Sequence, residues 1–231
     1  DIFFDNGDMN YPGGKGGVYQ RLINLMPPHE TYIETHLGGG AIIRKIKPAR
    51  RNIGIEIDPD TIEKWTRTSN KVDLELIHGD AIDYLESHHF TGKELVYCDP
   101  PYLRKARKKH YPLFKYEYTL EQHIKLLEVI KSLPCMVMIS GYESSLYEKS
   151  LKGWHIHSFQ AATHHGIATE WIWMNYPFPV ELHDYRYLGD NFRERERIKK
   201  RTKRWVARLK KMPVLERKAL LSGISSLNEM Y

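Results

Sequence analysis

The residues with the clearest chemical potential are Asp99-Pro100-Pro101-Tyr102, which directly follow the apolar run Glu94–Cys98 (ELVYC). Two consecutive prolines fix φ and make a rigid turn. That turn presents a carboxylate, a carbonyl with no neighbouring N–H, and an aromatic ring. An exocyclic amine is a poor nucleophile because its lone pair is delocalised into the ring. Acceptors on both of its hydrogens pull the nitrogen towards tetrahedral geometry and free the lone pair. The Asp99 carboxylate and the Pro100 carbonyl could supply those acceptors, and Tyr102 could stack on the ring. A bare strand end with a proline turn would look the same in isolation, so the surrounding motifs matter.

Five of them lie upstream. Tyr11-Pro12-Gly13-Gly14-Lys15 precedes the first helical stretch, where glycines let backbone approach a ligand and Lys15 can meet a carboxylate. Glu34-Thr35-His36-Leu37-Gly38-Gly39-Gly40 follows the first core strand and offers a nucleoside-type cofactor a backbone surface at Gly38 and Gly40. It is neither GxGxxG nor a phosphate-binding loop with Lys-Ser/Thr, which disfavours a dinucleotide or a nucleoside triphosphate. Glu56 ends the second strand, where an acidic residue commonly takes ribose hydroxyls. Asp58 could serve instead, or simply cap the helix beginning at Pro59. Asp80, after the third strand, either accepts from an adenine amino group or caps the next helix.

These residues need a scaffold, and the chain alternates strands and helices. Short β-forming runs at Thr31–Thr35, Asn52–Ile57, Leu74–His78, Glu94–Cys98 and Cys135–Ser140 are bounded by polar or turn residues, as buried parallel strands are. Helical stretches fall at Gly17–Met26, Pro59–Ser69, Ala81–Ser87 and Leu120–Leu133, the last with Thr119 and Gln122 spaced as a capping box. Trp154–Gln160 and Thr169–Tyr176 read as a hairpin closing a mostly parallel sheet. After Pro177-Phe178-Pro179 the composition changes to a polar, basic, helix-like stretch at Asn191–Lys211 and a second helix from Pro213 to about Gly223. Arg217–Ser226 faintly resembles the turn of a helix-turn-helix. The pattern predicts an α/β doubly wound domain over residues 9–180 and a basic helical extension over 184–231. Asp1–Asp8 carry no motif and are left out of the fold reading.

Taken together, Tyr11–Lys15, the glycine-rich turn after Glu34, Glu56, Asp80, Asp99–Tyr102 and the closing strand Thr169–Tyr176 resemble the Dam-type (D12 class) DNA adenine-N6 methyltransferase family. The resemblance implies a Rossmann-like methyltransferase fold with an antiparallel last strand. It implies S-adenosyl-L-methionine held by positions matching Tyr11, Lys15, Glu56 and Asp99, with Gly13, Glu34, Gly38, Gly40, Asp58 and Asp80 as further candidates around it. It implies a target adenine held by Asp99, Pro100, Pro101 and Tyr102. Two departures stand out. The family usually has Glu-Pro-Phe where this chain has Glu34-Thr35-His36. Many members also insert a target-recognition domain ahead of the catalytic turn, whereas here 43 residues separate Glu56 from Asp99, enough for a helix, a strand and another helix.

Charge points to the same class of substrate. The net charge is +6, but residues 185–231 carry +9 and residues 103–118 carry +5, leaving −8 for the rest. An acidic body with two basic patches suits a polyanion, because Lys and Arg displace counterions from phosphates. The segment 103–118 interleaves cations with aromatic residues. Arg104, Lys105, Arg107, Lys108, Lys109, Tyr111 and Lys115 are its candidate nucleic-acid contacts and its substitute for a recognition domain. The partners expected are therefore DNA, with room for a homodimer through the tail and for a cognate restriction endonuclease. An RNA adenine-N6 methyltransferase and an inactive DNA-binding protein on the same scaffold are the rival readings.

At 41% hydrophobic residues the composition is that of a folded chain. No apolar run approaches the ~20 residues of a membrane span, and two cysteines in strand-like runs suit a reduced, cytoplasmic protein. His164 and His165 lack further ligands at suitable spacing, and no metal is expected.

Overall fold

A computed structural model describes residues 15–67, 73–103, 115–163 and 166–228. The chain divides into two compact units, with the boundary between Asp184 and Tyr185.

The first unit is built on a seven-stranded sheet. The strands are β1 (Thr31–Glu34), β2 (Arg51–Glu56), β3 (Glu75–His78), β4 (Glu94–Cys98), β5 (Met136–Gly141), β6 (His155–Thr163) and β7 (Gly166–Met174). Their order across the sheet is β3-β2-β1-β4-β5-β7-β6. The first five are parallel, while β7 runs antiparallel to both β5 and β6. This is the Rossmann-like methyltransferase arrangement expected from sequence, with the hairpin placed as the alternation implied. The chain winds outward through β2 and β3, then returns to the other side of β1 as β4. The switch point thus lies between β1 and β4, and ligand crevices in such sheets open at the carboxyl ends of the strands flanking it.

Helices α1 (Tyr19–Ile23), α2 (Pro59–Arg67), α3 (Ala81–Ser87), α4 (Leu120–Ser132) and α5 (Ser145–Ser150) connect and cover the strands. The apolar runs form strands because both faces of the sheet are covered: every residue of β4 is buried, as are five of the six in β2. Ile33 stands in register with Ile53 on one side and Val96 on the other, and Val96 with Val137. Leu126, Ile130 and Trp173 join that core. Each such side chain contributes about 1.5–3 kcal/mol when fully buried. Start signals are equally local. Thr119 and Gln122 form the expected capping box on α4, and Asp80 caps α3.

The chain beyond the sheet folds back on this unit. Tyr176 donates its hydroxyl to the Leu25 carbonyl, and the Asp184 carboxylate accepts from the Lys47 backbone. Both cysteines are buried and unbridged.

The second unit contains α6 (Phe192–Lys211), capped by Asn191, and α7 (Val214–Asn228). Two local readings need correction here. The second tail helix does not end near Gly223 but continues to Asn228, and the segment 217–226 forms no helix-turn-helix turn. One glycine in a helix interior costs about 1 kcal/mol relative to alanine, which the flanking helix formers outweigh. The short helix α5 was not anticipated. Among the described residues, no helix is long and apolar enough to cross a membrane.

Candidate active site

The carboxyl ends of β1, β2, β3 and β4 bring most of the described candidate residues to one edge of the sheet. Asp99 leaves β4 at the switch point. Its Oδ1 lies 2.7 Å from Lys15 Nζ, and the same ammonium lies 3.0 Å from Glu170 Oε1 on β7. Lys15 Nζ also donates to the Tyr102 hydroxyl at 2.7 Å, and that hydroxyl donates to Glu170 Oε1. One cation, two carboxylates and a phenol thus form a closed cluster beneath the Asp99–Tyr102 turn. The Lys15 and Glu170 side chains are each 8% exposed and Asp99 is 17% exposed, so Asp99 is the charged group of the three most open to a ligand.

The electrostatics follow from that burial. Burial pulls the Lys15 ammonium down, but Asp99 and Glu170 outweigh it and hold it above its ordinary value. Burial raises the Asp99 carboxyl, Lys15 opposes the rise, and Glu170 adds to it. Lys15 therefore favours the charged, accepting form of Asp99 at a position where a lone carboxylate would be costly. Tyr102 packs edge-on against Tyr142, with ring centroids 4.6 Å apart and an interplanar angle of 71°.

Glu34 lies deeper than its place in the motif suggests. It is buried, and its Oε2 accepts from the Tyr32 hydroxyl at 3.2 Å and the Ile43 backbone at 3.1 Å. Burial, together with nearby Asp99, pushes its carboxyl up to about 8. His36, where the family usually has Phe, links two segments: its Nδ1 meets Thr35 Oγ1 at 2.8 Å and its Nε2 meets the Tyr118 hydroxyl at 3.0 Å. Burial, then His123, lowers this imidazole to about 3. Position 36 is thus a neutral polar tie to the far end of the 103–118 segment.

The glycine-rich turn is fixed from two sides. Gly38 donates its backbone N–H to Glu56 Oε2 at 2.8 Å and accepts Trp65 Nε1 at its carbonyl, also at 2.8 Å. Gly38 and Gly40 have φ of 47° and 63°, the left-handed region that suits glycine. A Cβ on Gly40 would lie 2.3 Å from Trp65 Cζ2. Glu56, buried at the end of β2, also accepts from the Asp58 backbone through Oε1 at 2.9 Å. The Ile57 backbone also contributes to Glu56, so these bonds use most but not all of the about four lone-pair sites of a carboxylate.

Asp58 takes a different role. Its side chain accepts from Thr61 Oγ1 at 2.9 Å at the start of α2 and pairs with Lys115 Nζ at 2.9 Å. Lys115 also reaches Asp60 at 2.8 Å. That cation was expected on nucleic acid, and the structure places it on carboxylates near the end of β2. Asp80 accepts from the backbones of Ile82 at 2.7 Å and Asp83 at 3.3 Å, the capping arrangement. Tyr11, Gly13, Arg104, Lys105, Arg107, Lys108, Lys109 and Tyr111 lie outside the described residues, as do His164 and His165. Glu170 was read only as part of the closing strand. An acidic residue inside the apolar run Thr169–Tyr176 was the signal available, because buried carboxylates need partners.

Against this geometry, a family model matches residues 56–164. It is the D12 class of N6 adenine-specific DNA methyltransferases. The match spans the end of β2, the Asp99–Tyr102 turn and the sheet through β6, and it bears out the family resemblance over the motifs at Glu56, Asp80 and Asp99–Tyr102. No curated protein matches the chain. Among solved structures, the N-methyltransferase NodS from Bradyrhizobium japonicum is 13% identical, covering 68% of this chain and 93% of its own, with a TM-score of 0.49. SMU.1697c from Streptococcus mutans, solved in complex with SAH, is 10% identical over 68% and 93% with a TM-score of 0.47. An rRNA methylase from Streptococcus thermophilus is 12% identical over 68% and 92%, at 0.45. Likenesses this remote carry no argument about a D12-type substrate.

Proposed function

We propose that this chain transfers a methyl group from S-adenosylmethionine to N6 of adenine in DNA. The observation that carries the reading is the Asp99–Tyr102 turn at the topological switch point, with its carboxylate held by buried Lys15. The D12 family match supports both the reaction class and the choice of adenine.

The donor set at the crevice suits this cofactor. Glu56 retains accepting capacity for a ribose hydroxyl, and the Gly38–Gly40 turn offers backbone without side chains. Asp99, the most open of the cluster, can meet the ammonium of a methionine moiety, while the three Lys15 donors are directed at Asp99, Glu170 and Tyr102 and hold the Asp99 carboxylate in place. S-adenosylmethionine, when bound, supplies an electrophilic methyl on a sulfonium that leaves as a neutral thioether. The chain's own residues prepare the nucleophile. Asp99 accepts one N6 hydrogen and the Pro100 carbonyl the other, which frees the nitrogen lone pair for the new N–C bond. The amine then gives up one proton, first to Asp99 and then to water. Tyr102, fixed through its hydroxyl by Lys15 and Glu170, sets the width of the slot for the flipped base. Extrusion of that base costs a few kcal/mol, which backbone contacts must offset.

The short stretch between Glu56 and Asp99 holds α2, β3, α3 and β4 among its described residues, so it offers no recognition domain. A substrate panel therefore tests the reading. Methyl incorporation from labelled cofactor is expected into duplex DNA above single-stranded DNA and structured RNA. Incorporation into RNA alone would overturn the DNA assignment while leaving the chemistry intact.

A further inference from the structure

Helix α6 carries eleven Lys and Arg against two Glu, a net charge of +9, and none of its residues is buried. The cations are not scattered. Arg193, Arg197, Lys200, Arg204, Arg208 and Lys211 follow one another at steps of four, three, four, four and three residues. At 100° per residue those six fall within an arc of about 80°, and at 1.5 Å per residue they extend about 27 Å along the axis. All six are exposed. The two glutamates lie outside that arc, one on each side. Among the described residues, Arg197 alone of the six pairs with a carboxylate, Glu194 at 3.2 Å, and Arg208 lies over the Trp205 ring at 5.2 Å.

Like charges one helical turn apart repel and weaken the helix that carries them. Six in a row on one face therefore call for a counterpart outside the helix. A duplex strand presents a phosphate about every 3.4 Å, so 27 Å of stripe can lie beside about eight of them. We infer that the α6 stripe is a docking surface for the phosphate backbone of duplex DNA. This rests on the DNA reading above and adds to it. It assigns the affinity that a recognition domain would otherwise supply to a sequence-independent contact outside the catalytic unit. Phosphate contacts position a protein on DNA without reading bases. Of the five remaining α6 cations, Arg201 lies just beside that arc, whereas Arg195, Lys199, Lys203 and Lys210 point to other sides and are not part of the contact.

That difference makes the test. In the full chain, R193Q, K200Q, R204Q and K211Q are combined in one variant, and R195Q, K199Q, K203Q and K210Q in another. Both lose four charges from the same helix, and glutamine keeps a good helix former at each position. Binding to a fluorescent duplex is measured by anisotropy across a salt series, with cofactor binding by calorimetry as a folding control. Each lost phosphate contact should reduce the log–log salt slope by about 0.9, so the stripe variant should fall by roughly 3 to 4 and the other by less than about 1. Cofactor affinity should be unchanged in both. Equal reductions in the two variants would overturn the stripe as a defined surface. If the unaltered chain binds and methylates duplex DNA while the stripe variant keeps its full slope, this inference fails and the DNA reading stands. If the unaltered chain binds structured RNA and not duplex DNA, both fail together.

Discussion

Lys15 shows why the Asp99–Tyr102 turn cannot be understood from Asp99 alone. A buried carboxylate at the mouth of a crevice would neutralise itself by taking a proton, but an ammonium 2.7 Å away favours its accepting form. Asp99→Ala should therefore abolish methyl transfer while circular dichroism stays native. Retention of more than about a tenth of the rate, a loss of only ~1.4 kcal/mol of transition-state stabilisation, would remove Asp99 from the mechanism. Its neighbour Glu34 makes a separate prediction through pH. Its folded-state value of about 8 lies above the ordinary 4.5, so the protonated form is the one the fold favours. That contribution is fully present below about pH 4.5 and is lost progressively as pH rises to about 8. Unfolding temperatures of the cofactor-free protein between pH 6.5 and 8.5 should fall with pH, and Glu34→Gln should flatten the fall. An equally steep fall in the variant would show that Glu34 is ionised in the folded state. Asp99 and Lys15 were legible in sequence because their motifs are contiguous. Glu170 was not, because its partners Lys15 and Tyr102 lie 155 and 68 positions earlier in the chain.

At the scale of elements, the ends of strands decide which acidic residue is left free to accept. Asp58 caps α2 and holds Lys115, whereas Glu56 faces the glycine-rich turn with accepting capacity to spare. Glu56→Ala should weaken S-adenosylmethionine binding more than Asp58→Ala, since each hydrogen bond to a carboxylate contributes roughly 1.5–3 kcal/mol. Calorimetry on both variants checks this, and a larger loss in Asp58→Ala would move the ribose contact two residues along. Sequence left this choice open because Glu56 and Asp58 both sit at the strand end. The bonds from the Gly38 and Asp58 backbones separate their roles, and those depend on how β1 and β2 pair. Asp80 had two readings, and the structure gives it the capping bonds of α3. The continuous helix through Gly223 overrode a stop signal that would have been sound with a less helical neighbourhood.

For the whole molecule, the topology was readable because parallel strands announce themselves as short apolar runs between helices. The antiparallel β7 could be placed because a hairpin needs no crossover. What spacing could not show is where the basic segments lead. Lys115 returns to Asp58 and Asp60, 57 and 55 residues earlier, and the cations of α6 align only when the helix is built as one piece. On the proposed function, the nitrogen presented to Asp99 and Pro100 is N6 of adenine. An exocyclic amine of cytosine would pose the same chemical problem, so the identity of the product decides. The full chain is incubated with duplex DNA and S-adenosylmethionine, and the DNA is digested to nucleosides and resolved by mass spectrometry beside an Asp99→Ala control. N6-methyladenine is expected as the methylated product, with none from the control. N4-methylcytosine as the product, or no methylated nucleoside from the unaltered chain, would contradict the proposed function.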